Sequence, residues 1–495
     1  MKSRVFMLIF GLLIVVHLWL VGSRRLLPYT DLPNHKAIAT IVRHYDETPG
    51  TFAQHYLVDT RGKANTYFWN FCRMPIFSSV EQATRAYYLL YIALLPLAAL
   101  AAIRRLGGNQ WFALLSFLLL YNFNVTWGFV GFTLGVPVFL LLFTVVADDN
   151  PGRLHYLVAA ALLVCLFFIH AMVFLFAAGF VVLAAAFTYP REPRRLLGPA
   201  LALLPALALF AAWWLRQPPV ADGLSLRESL FIYYTGPFWL TIVKRLGFLV
   251  FDNYRLFPRY AGYAVATLFS LGIVIPALAG LLRRRALPLP RALWAFLAFA
   301  AFCFFLLPAW MPGHWAIFQR FSVFFLLALM LAGSCFFAAP PTRAWVGIFA
   351  LLAVTHAALW GQYHVAFDHD ARGFDAAFLP PGGAGVLAAF VTDADFRGRP
   401  VYTHFPSYHT VWKRGPAVSR IYDYRFGAVT RRPGAPPLPA YVDFIEDLQY
   451  DGRYADVDWL LTHGDPPPTA AAEMNDFQVG RHAGAWSLYR HTKEQ

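Results

Sequence analysis

The 495-residue chain is 59% hydrophobic and 17% aromatic but only 14% charged, and its 41 Lys and Arg against 27 Asp and Glu give a formal net charge of +14. Soluble domains carry about 25% charged residues, so an ordinary cytosolic enzyme and a disordered or collagen-like chain are both excluded. The basic residues form short clusters between long apolar runs and are not interleaved with exposed aromatics, which excludes a nucleic-acid partner and marks the loops of a polytopic membrane protein.

The first apolar run, Val5 to Val21, follows Lys2 and Arg4 and has no small-residue cleavage site. It is expected to stay as a signal anchor with the N-terminus in the cytoplasm. The first external loop, residues 22–85, opens with Pro28-Tyr29-Thr30-Asp31-Leu32-Pro33-Asn34-His35-Lys36. Asp31 suits an N-cap and Pro33 a first helical turn, and the same carboxylate would stand at the outer membrane surface ready for chemistry. Beyond it Ile38, Ile41, Val42 and Tyr45 form one helical face expected in the headgroup layer, with Lys36, Arg43, His44 and Glu47 in water. His35, four residues after Asp31, could share a divalent ion with it, Mg or Mn, although surface hydrogen bonding is the default for such a pair. Further on, Asn65-Thr66-Tyr67-Phe68-Trp69-Asn70 mixes hydrogen-bonding and aromatic groups, suited equally to gripping a sugar ring through Asn70 and to anchoring at the interface.

Apolar runs follow at Ala86–Ile103, Trp111–Phe123 and Gly131–Ala147, with Asn122 and Asn124 placed to line a polar cavity and Gly131 and Gly135 spaced for close helix packing. The run from His155 to Tyr189 is too long for one crossing. Splitting it at His170, which then sits in a tight turn, puts the loops carrying Arg104-Arg105, Arg153, Arg191/Arg194/Arg195, Arg283-Arg284-Arg285 and Arg343 on one side, as the positive-inside rule requires. After Leu196–Leu215 comes a second external loop, residues 216–259, in which Phe231–Phe238 and Trp239–Phe251 read as interfacial helices, and Lys244-Arg245 are placed to meet phosphate headgroups. The last runs are Tyr260–Leu282, Ala292–Ala309, Phe321–Ala339 and Ala344–Trp360; His314 and Arg320 stand before the third of these, where an Arg either snorkels or holds an anion. The expectation is a mainly α polytopic membrane protein of about eleven spans over residues 1–360, with the C-terminus outside.

Residues 361–495 read as a separate external α/β domain, with strands expected at Arg399–Phe405, Val457–Thr462 and Ala485–Arg490 and a helix at Ala440–Tyr450. This segment holds 13 Lys and Arg against 16 Asp and Glu, so the excess of positive charge belongs to the preceding 360 residues, which hold 28 against 11.

One span, an external loop opening with Asp and a helix, many further spans and an external tail together resemble the GT-C superfamily of membrane glycosyltransferases. Asp31-Leu32-Pro33-Asn34-His35 looks like the D-x-P-x-H opening of a bacterial branch; Gly131-Phe132-Thr133-Leu134-Gly135, Arg320-Phe321 and the closing Trp486-Ser487-Leu488-Tyr489-Arg490 look similar to it too. The resemblance implies transfer of a sugar from a polyprenyl-phosphate donor to a glycan, lipid or protein acceptor on the outer face of the inner (cytoplasmic) membrane, by direct inverting attack. It makes Asp31 the general base or a ligand of a divalent cation, with Arg320 and His314 on the lipid phosphate. Rival classes are a lipid or polysaccharide transporter, an envelope-assembly scaffold, and an O-antigen polymerase or ligase. A transporter needs ionisable groups near mid-membrane, and the spans offer mainly His17 and His356.

Overall fold

The computed structural model describes residues 2–47, 51–148, 150–217, 238–254, 256–257, 259–282, 289–311, 314–337, 343–380, 385–422, 427–436, 438–439, 441, 453–466 and 474–492. The chain is mainly helical. It runs through α1 (Lys2–Gly22), α2 (Leu32–His44), β1 (Tyr56–Val58), α3 (Tyr67–Arg73) and α4 (Val80–Arg105), then a 3₁₀ stretch, Gln110–Leu119. Next come α5 (Val130–Val146), α6 (Arg153–Ile169), α7 (Ala171–Thr188), α8 (Leu197–Trp214), α9 (Phe238–Gly247), α10 (Arg259–Leu281) and α11 (Arg291–Leu306). A two-residue hairpin pair, β2 (Trp310–Met311) and β3 (His314–Trp315), precedes α12 (Ile317–Phe336) and α13 (Arg343–Asp370). The C-terminal segment holds β4 (Leu387–Val391), α14 (Tyr408–Lys413), β5 (Val429–Arg431), β6 (Trp459–His463), β7 (Phe477–Ala483) and β8 (Trp486–His491).

Among the described residues seven helices are long and apolar enough to cross a bilayer, and α5, α6 and α11 are shorter apolar helices. Their exposed faces are as apolar as their buried ones. On α1, Leu8, Leu12, Val15 and Trp19 are exposed while Phe6, Phe10 and Leu13 are buried; α8 exposes Leu197, Leu201, Leu204 and Trp214. Such surfaces are costly in water and cost nothing in lipid, which suggests a membrane protein. The run expected as a short span at Trp111–Phe123 is instead ten residues of 3₁₀ helix, all but its first buried, followed by a single α-turn. At about 2 Å per residue it covers roughly 20 Å, short of the ~30 Å hydrocarbon core.

Contacts divide the chain into two compact units: residues 1–23, 88–126 and 130–362, and residues 24–87, 127–129 and 363–495. The loop after the first helix therefore folds with the C-terminal segment, a division that the linear order of the sequence hides.

The first unit packs on phenylalanine. Phe139 and Phe176 meet at 5.0 Å and Phe176 and Phe324 at 4.4 Å, joining α5, α7 and α12. A Cβ on Gly131 would stand 2.4 Å from the Ile169 carbonyl and one on Gly135 3.0 Å from Val173, so this glycine pair does serve close helix packing. His170 divides α6 from α7 as expected, its Nδ1 accepting from the Met172 amide at 3.2 Å. Asn122 and Asn124 are buried and bond each other and nearby backbone carbonyls, so they act as a helix-end clasp.

In the second unit β1 pairs antiparallel with β5, fastening the loop to the C-terminal segment. The sheet order is β4-β6-β8-β7, with β4 parallel to β6 and the remaining pairs antiparallel. Ala388, Phe390, Val457 and Leu460 form part of its core with Tyr454 and Phe477. The strands expected at Val457–Thr462 and Ala485–Arg490 are β6 and β8. Arg399–Phe405 is not a strand: Arg397 and Gly398 turn the chain at positive φ, Pro400 has no N–H to donate, and a 3₁₀ turn starts at Phe405. The helix expected at Ala440–Tyr450 falls almost wholly outside the described residues.

Candidate functional site

Asp31 occupies the N-cap position of α2 but makes no capping hydrogen bond. Its φ of −84° and ψ of −6° are helical, where a cap residue is normally extended. Pro33 removes one of the two amides a cap would bind. The carboxylate instead meets His404, with Oδ1 3.0 Å from Nε2. The side chain of Asp31 is 18% exposed and that of His404 6%, so the carboxylate reaches solvent while its partner is enclosed. On its other side His404 Nδ1 lies 2.8 Å from the Tyr441 hydroxyl.

The backbone of this corner is clamped by residues 127–129. The Asp31 amide donates to the Trp127 carbonyl at 2.9 Å, and Gly128, at φ +76°, leaves room for the approach. A Cβ on Gly128 would stand 2.7 Å from the Leu32 nitrogen and 2.9 Å from the Asp31 nitrogen.

α2 is tied to the segment Val401–Lys413 along its length. Ser407 Oγ donates to Asn34 Oδ1 at 2.6 Å, and Lys36 Nζ stands 3.4 Å from the Tyr408 hydroxyl and 5.1 Å from its ring centroid. Residues 36–42 are all buried, with α3 on one side and α14 on the other. This corrects the expected interfacial helix: its apolar face packs in protein, and Lys36 is buried rather than in water. Arg43 donates to the Cys72 carbonyl at 2.9 Å and also to that of Phe77, holding the turn before α4. Burial disfavours the charged form of three histidines of this unit: the His409 imidazole is pushed down to about 4, and those of His55 and His463 are lowered from their ordinary value.

Of the residues singled out from sequence, Asp31, His35 and Asn70 belong to the second unit, and Lys244, Arg245, His314 and Arg320 to the first. His35 lies against Phe68 and Trp69, both at 6.2 Å between ring centroids, and Asn70 is exposed on α3. Among the described residues no group of three or more His, Cys, Asp and Glu is placed to hold a metal ion. Asp31 and His35 alone would supply one carboxylate and one imidazole toward the oxygen-rich six-coordinate set that Mg or Mn takes.

In the first unit Lys244 is exposed, whereas Arg245 is buried, donating to the Phe304 carbonyl at 2.7 Å with its guanidinium 4.3 Å from the Phe318 ring centroid. Arg245 is thus engaged with protein where a headgroup contact was expected. Arg320 Nη2 donates to the Trp315 carbonyl at 3.1 Å, and its own carbonyl accepts from Asn124 Nδ2 at 3.1 Å, so it secures the β2–β3 hairpin to α12. The backbone of His314 pairs with Met311 in that hairpin; its side chain lies outside the described residues.

No family model matches the chain, and no curated protein matches it. Sequence reasoning missed His404, Tyr441 and the Trp127-Gly128 clamp. The available signal for His404 was the run Thr403-His404-Phe405-Pro406-Ser407, whose proline argues for a turn.

Proposed function

We propose that the chain is a GT-C-type membrane glycosyltransferase that moves a sugar from a polyprenyl-phosphate donor to an envelope acceptor at the outer face of the cytoplasmic membrane. The observation that carries this is Asp31: a partly exposed carboxylate, held from behind by a buried imidazole, at the corner that directly follows the first apolar helix. A carboxylate used as a cap would bond the first helical amides; the Asp31 side chain makes no capping hydrogen bond, and a partly exposed carboxylate is the group a general base needs.

In the reaction the acceptor hydroxyl gives its proton to Asp31 as its oxygen forms the bond to the anomeric carbon. The bond from that carbon to the phosphate oxygen breaks, the phosphate leaves with the electron pair, and the configuration inverts. The first unit, with exposed apolar faces for a prenyl chain and cationic side chains such as Lys244 and Arg320, has the chemistry for the lipid phosphate. The ten apolar helices supply the lipid-facing framework this reading needs, and by the positive-inside rule Lys2 and Arg4 ahead of the first of them would keep the N-terminus in the cytoplasm.

The test is deletion of the gene followed by mass spectrometry of lipid-linked sugars and surface glycans. Accumulation of one polyprenyl-phosphate sugar together with loss of that sugar from a surface glycan is expected. Identical profiles in the two strains would contradict the proposal.

A further inference from the structure

His404 has a polar partner at each ring nitrogen, Asp31 Oδ1 at 3.0 Å from Nε2 and the Tyr441 hydroxyl at 2.8 Å from Nδ1, and these partners favour one placement of its proton. An ionised carboxylate only accepts, so the 3.0 Å contact to Asp31 Oδ1 requires a proton on Nε2. In the neutral imidazole Nδ1 is then an acceptor, and the group facing it at 2.8 Å is the Tyr441 hydroxyl, which can donate. With a neutral imidazole the chain then runs from Tyr441 O–H to Nδ1 and from Nε2–H to Asp31. The same turn is fastened to α2 a second time, because Ser407 Oγ donates to Asn34 Oδ1 at 2.6 Å, one helical turn beyond Asp31. His404 therefore sits on a support that cannot drift independently of the helix carrying the carboxylate.

We infer that His404, with its tautomer selected by Tyr441, is a positioning residue for Asp31: it holds Oδ1 and so aims Oδ2 at the acceptor hydroxyl. This rests on Asp31 being the base of sugar transfer. The consequence is that the C-terminal segment completes the reactive corner of the first loop. A carboxylate on two rotatable bonds loses its aim without such a tether, and misplacement of a catalytic group by about 1 Å costs on the order of 100-fold in rate.

The test uses the full chain, purified in detergent and added to membranes of the deletion strain, which retain unconsumed donor and unmodified acceptor; release of polyprenyl phosphate is followed by mass spectrometry. His404→Ala is expected to slow release about 10- to 100-fold. His404→Gln places an amide N–H where Nε2–H stood and is expected to recover to within about threefold of wild type, because a positioning donor needs no imidazole. Tyr441→Phe is expected to slow the wild-type chain several-fold but to leave His404→Gln unchanged, since an amide has no tautomer to select. A wild-type rate in His404→Ala, a His404→Gln as slow as His404→Ala, or an equal loss from Tyr441→Phe in both backgrounds would each overturn the inference. The last pattern would mean that Tyr441 only packs. Asp31→Asn separates the two levels: if it releases polyprenyl phosphate at the wild-type rate, the underlying assignment of Asp31 fails. If it is inactive while His404→Ala is fully active, only the positioning role fails.

Discussion

Replacing Gly128 by Ala presses on the Asp31 corner without touching any polar side chain. At φ +76° an alanine costs about 1 kcal/mol in backbone conformation. Its Cβ would also stand 2.7 Å from the Leu32 nitrogen, about 0.7 Å inside ordinary contact, and 2.9 Å from the Asp31 nitrogen. Both are backbone atoms, so no rotamer change relieves the clash and the corner itself must move. A shift of that size carries the 2.9 Å bond from the Asp31 amide to Trp127, and the 3.0 Å contact to His404, beyond hydrogen-bond range. Leaving the amide unpaired adds about 1–3 kcal/mol. The expected total of roughly 2–4 kcal/mol corresponds to a fall of about 5–15 °C in the melting of the second unit, with transfer slowed roughly 10- to 100-fold. Gly62→Ala is the control, since Gly62 has φ +63° and nothing within 4 Å of its would-be Cβ, so it bears the conformational cost alone. Melting is read by tryptophan fluorescence and transfer by polyprenyl phosphate release. If Gly128→Ala behaves like Gly62→Ala in both, the clamp does not set the position of Asp31.

His409 gives a pH dependence. Its imidazole is kept neutral by burial down to about pH 4, while in the unfolded chain it takes up a proton near 6.5. The unfolded state thus binds the extra proton between these values, and stability is lost as the pH falls from about 6.5 to 4, by roughly 3 kcal/mol from this group alone. Melting temperature should fall over that window and fall less in His409→Gln; a flat profile would contradict the burial of a neutral imidazole. In the first unit Arg245→Ala removes the donor to the Phe304 carbonyl and the cation over Phe318, and should lower stability by about 2–4 kcal/mol, whereas Lys244→Ala should stay within about 0.5 kcal/mol. Similar melting of the two variants would refute the difference in their placement.

The helical framework was largely legible because apolar length carries it: the run from His155 to Tyr189 was too long for one crossing, and the distribution of arginines favoured splitting it around His170. The 3₁₀ stretch at Gln110–Leu119 was not, since a buried apolar run looks the same whatever its hydrogen-bond ladder. β4 reads Leu-Ala-Ala-Phe-Val and β7 carries Gly480 and a mostly exposed polar run, so neither alternates as a strand with one buried face does. Lys244 and Arg245 seemed a pair in sequence, but neighbours on a helix are about 100° apart, and one faces out while the other faces in. Asp31 stood out, yet its role as a simple cap could be set aside only by its backbone angles and by His404, a partner 373 positions away. No local pattern encodes such a pairing, and the same holds for Gly128.

In the proposed reaction Asp31 takes the acceptor's proton. Asp31→Asn keeps an oxygen for His404 Nε2–H to bond and removes the basic carboxylate, so it separates chemistry from architecture. The decisive measurement is the rate of polyprenyl phosphate release by purified Asp31→Asn on deletion-strain membranes, beside a melting curve that certifies its fold. Wild-type melting is expected, with release lowered by about 100- to 10,000-fold. Wild-type release from a folded Asp31→Asn protein would contradict that role for Asp31.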